Sequence, residues 1–203
     1  GSMHAYAGKD PVFLAMNARG QRETNGALGD FCVRCHAPMA VRTGATTDGL
    51  NLDTLPDALL GVTCFFCHSV DAVEGTHNNP LRLAEDGVLR GGIADPVATD
   101  AHASKYSPLL DRKDIRSADL CGACHDIVTP AGVHLERTYD EWRGSLFSHE
   151  VPGEQLTCGQ CHMGGRDAAV VTTDQALPER RLHNHAMAGI DLALTPFPNA
   201  DAQ

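Results

Sequence analysis

All eight cysteines of this chain fall into one five-residue pattern: two thiols spaced by two residues, with a histidine directly after the second. The copies are Cys32-Val33-Arg34-Cys35-His36, Cys64-Phe65-Phe66-Cys67-His68, Cys121-Gly122-Ala123-Cys124-His125 and Cys158-Gly159-Gln160-Cys161-His162. Two thiols at this spacing reach the two vinyl groups of one haem, and the adjacent histidine bonds the iron; Cys-x-x-Cys-His is the c-type attachment signature. At the histidine content of this chain, chance places a histidine after a given Cys-x-x-Cys about one time in twenty, so four in four is on the order of one in 10⁵. The sequence therefore predicts four haem c groups, held by Cys32, Cys35, Cys64, Cys67, Cys121, Cys124, Cys158 and Cys161, with His36, His68, His125 and His162 as proximal ligands.

Zinc ribbons and iron–sulfur sites also use paired Cys-x-x-Cys units, but neither explains a histidine after every pair. A disulfide framework is poorer still. Cysteines three apart are badly placed to bridge each other, and long-range pairing would not repeat one motif.

The fold expectation follows from this. The chain has 203 residues but only 5% aromatics, with 20 glycines and 11 prolines. That is little core material, so buried macrocycles must supply apolar surface. We expect a single tetrahaem domain over 1–203, or a module of a longer chain. It should be mainly α with long irregular loops, short helices wrapped around a four-haem core and little or no β-sheet. The motifs start at unequal intervals, which excludes a solenoid.

Local signals place the elements. Asp10-Pro11 opens a helix whose Val12, Phe13 and Met16 share a face, and Asn25-Gly26 stops it. Asp30 starts a second, carrying the first motif and ended by Pro38. Residues 40–60 read as loop with a brief turn near Leu55–Leu60, and 71–100 as loop. A short helix is expected over Ala101–Tyr106. Ser117 caps the third motif's helix. Thr138-Tyr139-Asp140-Glu141 reads as a capping box, opening a helix through Trp142 toward Phe147. The best strand candidate is Ala169-Val170-Val171-Thr172.

The net charge of −10, without a basic stripe, argues against nucleic acid and suits a basic redox partner. No stretch approaches the roughly 20 apolar residues of a membrane span. Haem c is attached outside the cytoplasm, so a periplasmic or extracellular protein is expected, its signal peptide absent from this chain. Gly1-Ser2-Met3 resembles a tag scar; Ser2-Met3-His4-Ala5 equally fits a native motif inside a longer protein.

Seven histidines lie outside the motifs: His4, His77, His102, His134, His149, His183 and His185. Four irons need at most four distal ligands, so bis-histidine coordination is expected. Met163 is locked beside His162, and Met16 and Met39 read as packing or loop residues. Here the chain resembles the multihaem cytochromes c related to the tetrahaem redox partner of hydroxylamine oxidoreductase, a group that includes modules of extracellular cytochromes. Ser2-Met3-His4-Ala5, Leu120 to His125, Thr138 to Trp142, Cys158 to Met163 and His185-Ala186-Met187-Ala188-Gly189 carry the likeness, with Met187 where an aromatic is commoner. The resemblance implies His4, His102 and His185 as distal ligands. For the fourth we take His77, in Gly75-Thr76-His77-Asn78-Asn79-Pro80, over His134; His183 is the alternative to His185, and His149 reads as a surface residue.

Ligand arithmetic favours an electron carrier, passing electrons from a donor protein to an acceptor protein. The competing reading is an oxidoreductase with one five-coordinate haem, reducing a small nitrogen or sulfur oxide. A third is a subunit of a polymeric wire, in which His4, near the chain end, is shared with a neighbouring copy.

Overall fold

The computed structural model describes residues 2–96, 103–149, 155–169 and 179–187. Among them are eight short α-helices: α1 (Met3–Tyr6), α2 (Pro11–Glu23), α3 (Val33–His36), α4 (Pro38–Arg42), α5 (Cys64–Ser69), α6 (Ser117–Gly122), α7 (Thr138–Arg143) and α8 (Cys158–His162). They are joined by four two-stranded sheets. These pair β1 (Val70–Val73) with β2 (Leu81–Leu83), β3 (Leu89–Gly91) with β4 (Ser104–Tyr106), β5 (Ile127–Val128) with β6 (His134–Glu136), and β7 (Gly165–Ala168) with β8 (Arg180–His183). The molecule is an α/β mix, which overturns the expectation of a mainly α protein with little or no sheet. Strands of two to four residues are too short to show a period of two, and their Gly- and Asn-rich connections read as loop.

Asp10 caps α2 as expected, its carboxylate accepting from Val12 N at 2.7 Å and Phe13 N at 3.3 Å. The buried face differs from the predicted one. Phe13, Asn17 and Gln21 point inward at helical spacing, while Val12 and Met16 are exposed. The two buried amides both donate to Asp48 O, at 2.8 and 2.9 Å, and so fasten the following loop to the helix.

The first motif's helix stops at His36, just before Pro38, as expected, and Pro38 then opens α4 because proline suits the first helical position. Two other local expectations fail for identifiable reasons. Ser117 lies inside α6, with Arg116 at the N-cap. Thr138 makes no capping bond, since Glu136 binds its N–H at 3.0 Å; the capping box forms at Thr157 and Gln160, ahead of the fourth motif. Around 101–106, residues 104–106 form a strand against β3, and 101–102 lie outside the described residues. Strand β7 ends at Ala168; 170–172 also lie outside them.

The core is two small clusters, and each contains residues from inside the Cys-x-x-Cys-His motifs. Phe13, Val33, Ala37, Ala40, Leu52 and Leu60 form one; Phe66, Val70, Leu81 and Ala123 form the other. Helices of four to six residues are far too short to stand alone in water. Burying Val33, Phe66, Ala123 and Gly159 anchors each motif by a residue lying between its two cysteines.

Candidate haem-binding site

Cys32 and Cys67 pack at the edges of the two apolar clusters. Cys64 and Cys161 are exposed and the other six half-buried, all eight as free thiols. Threonine caps fix two of the motif helices. Thr63 accepts from Phe66 N at 3.1 Å, and Thr157 accepts from Gln160 N at 3.2 Å while its hydroxyl donates to Arg112 O at 2.5 Å. The third motif is held from α7. Tyr139 N donates to His125 O at 2.9 Å, its hydroxyl donates to Asp119 at 2.5 Å, and its ring fills the space over Gly122 where a Cβ would stand. Burial and the Asp119 carboxylate raise the Tyr139 pKa, so the phenol stays a donor.

The motifs converge on the third. Thiols of different motifs lie close enough to perturb one another's titration, Cys35 with Cys124 and Cys121 with Cys158, while Cys67 lies within electrostatic reach of both Cys121 and Cys124. The thiol partners and burial push Cys121 and Cys124 upward; burial pushes Cys67 up to about 11. These groups are neutral thiols.

Two imidazoles holding one metal between them would keep their ring centres about 6 Å apart, a separation that ordinary ring contacts also reach. The His4 and His125 ring centres are 6.1 Å apart, and those of His68 and His185 are 6.3 Å apart. Each pair joins a motif histidine to one outside the motifs. Hydrogen bonding sets the tautomers. His36 Nδ1 meets Ala7 O at 3.1 Å, His68 Nδ1 meets Arg90 O at 2.5 Å, and His185 Nδ1 meets His183 O at 2.9 Å. A carbonyl can only accept, so Nδ1 carries the proton and Nε2 presents its lone pair, the arrangement that orients metal-bound histidine. Burial, with the nearby His125, lowers the His4 pKa; burial lowers that of His36. Both favour the neutral, ligating form.

No protein family, curated protein or solved structure matches this chain.

Of the expected distal ligands, the structure brings His4 to His125 and His185 to His68. His102 lies outside the described residues. His77 is exposed beside Thr76 Oγ1 at 3.0 Å, on the rim of a cleft of about 540 Å³ that Asp30 and Arg34 also line. His134 is exposed on β6, and His149 is exposed next to Ser148. His183 ends β8, and its carbonyl anchors His185. The ring of His36 is stacked on Phe13, 4.0 Å apart and 1° from parallel; among the described residues no second histidine faces it at the axial separation.

Sequence reasoning missed the carbonyls of Ala7 and Arg90, which leave no mark in side-chain identity. The capping threonines were readable, since each directly precedes the first cysteine of its motif. Arg90 is 7% exposed, and the paired contacts of its guanidinium with Asp86 at 2.8 and 3.2 Å keep this strand, and thereby His68, in place.

Proposed function

We propose that this chain is an electron-transfer protein with four covalently attached c-type haems, mostly bis-histidine, working in the periplasm or outside the cell. The observation that supports it most is the pair of axial separations. Two motif histidines each lie beside a non-motif histidine at a ring-centre separation that would suit a shared iron. The free thiols fit the same reading. Each thiol would add across one vinyl group of a haem, the sulfur bonding one carbon and the hydrogen going to its neighbour, so the attachment would consume no other reactant.

The haems supply reversible one-electron chemistry, with potentials tuned by axial ligand, burial and hydrogen bonding. The chain's own residues do the rest. Ala7, Arg90 and His183 orient imidazoles through their carbonyls, and Val33, Phe66, Ala123 and Gly159 anchor the motifs. An acidic surface steers a basic donor or acceptor protein toward it. No described helix is long and apolar enough to cross a membrane.

The wire reading would share His4 with a neighbouring copy, whereas the His4 ring stands 6.1 Å from that of His125 in the same chain, which supports pairing within one chain. The enzyme reading keeps one observation, the Phe13-stacked His36 without a described facing histidine. Carbon monoxide separates the two. The carrier reading expects the reduced protein not to bind it, and not to turn over nitrite or hydroxylamine. Stoichiometric binding at one haem together with turnover would make the first haem an active site and overturn the carrier reading.

A further inference from the structure

The loop between β1 and β2 carries two successive asparagines in the left-handed region, Asn78 at φ 63° and Asn79 at φ 57°. Few residues other than glycine tolerate that conformation, and asparagine is the commonest of them. The pair uses it to reach two distant segments at once. Asn78 N donates to Asp126 O at 3.1 Å, and its side chain exchanges two bonds with the Val128 backbone, 2.7 Å to the carbonyl and 3.0 Å from the N–H. Asn79 N donates to Ala123 O at 2.6 Å, and Asn79 Nδ2 donates to Arg34 O.

Those two acceptors are equivalent positions. Arg34 directly precedes Cys35, the second cysteine of the first motif; Ala123 directly precedes Cys124, the second cysteine of the third. One residue, 9% exposed, therefore ties together the two motif loops through its backbone N–H and its side-chain amide. The Oδ1 of Asn79 is buried without a hydrogen-bond partner, so the amide is held for its donor alone.

We propose that Asn79 is a positioning residue that fixes the spacing and orientation of the first and third haems, and with them the electronic coupling between the two. This rests on the haem reading above. Asn78 grips only the third motif's side of the junction, through Asp126 and Val128, and so serves as the internal control.

The test uses the haem-loaded full chain. Asn79→Gly keeps the left-handed backbone and removes the amide; Asn79→Asp keeps the shape and removes the donor. Closely spaced haems give a two-signed band in Soret circular dichroism, and internal electron exchange can be followed after a reducing pulse. Both Asn79 variants should retain four haems by mass and the same number of low-spin haems, yet lose much of the two-signed band and exchange electrons more slowly. Asn78→Gly should leave both signals near those of the unsubstituted protein. An unchanged band and exchange rate in the Asn79 variants, or an equal loss in Asn78→Gly, would overturn the proposal. So would failure of both Asn79 variants to accumulate while Asn78→Gly does, since that gives Asn79 a general folding role. Fewer than four haems in the unsubstituted protein would instead remove the haem reading itself, and the proposal with it.

Discussion

Replacing His4 by alanine should convert the third haem from low spin to high spin and leave the others untouched. The His4 ring centre stands 6.1 Å from that of His125, and no other described histidine ring pairs with His125. Loss of the imidazole donor raises that haem's potential, on the order of 0.1 V within the roughly 0.8 V span that axial ligands command. His185→Ala should do the same to the second haem through His68. His149→Ala and His134→Ala should change neither spin state nor potential, both being exposed and away from the axial pairs. Ferric electron paramagnetic resonance and a redox titration read these outcomes. An unchanged spectrum for His4→Ala or His185→Ala would show that the residue is not a ligand.

The second large effect needs no change at any ligand. Gly61 sits at φ 73°, beneath α1, and Val62 N donates to His4 O at 2.8 Å. A Cβ on Gly61 would fall onto Ala5 O and lie 2.7 Å from His4 O, both rigid backbone atoms. Gly61→Ala thus combines a left-handed penalty of about 1–2 kcal/mol with displacement of α1. We expect a loss of about 2–4 kcal/mol in denaturant unfolding, as for other strained backbone sites. We also expect the high-spin signal of His4→Ala to appear at the third haem. Gly132→Ala is the matched control. Its φ is 80°, but a Cβ there meets nothing within 4 Å, so it should cost only about 1 kcal/mol and leave every haem low spin. Equal effects from the two substitutions would show that α1 does not hold His4.

The sequence carried the candidate site, because eight cysteines and four following histidines repeat one local spacing that needs no fold to be seen. Asp10-Pro11 placed α2 because its capping signal is local. The short strands were illegible, since pairs such as Val70↔Leu83 and Gly165↔His183 arise from turn geometry between residues far apart. The inward face of α2 was misread for a related reason. Asn17 and Gln21 are buried only because a distant carbonyl, Asp48 O, satisfies them. The approach of His4 to His125 and of His185 to His68 was equally out of reach, because it depends on how α1 docks on Gly61 and how β8 delivers residue 185. The surroundings of His77 were also hidden from the sequence. Its turn is anchored, but by Asn78 and Asn79 binding backbone, with the histidine itself left exposed on the rim.

The central claim is that four haems are bonded to this chain. Intact mass spectrometry after acid–acetone extraction tests it directly, on protein made with a haem-attachment system outside the cytoplasm. The account predicts the polypeptide mass plus four haems, with none released by the extraction. A bare polypeptide mass with stoichiometric zinc and no Soret band would contradict it.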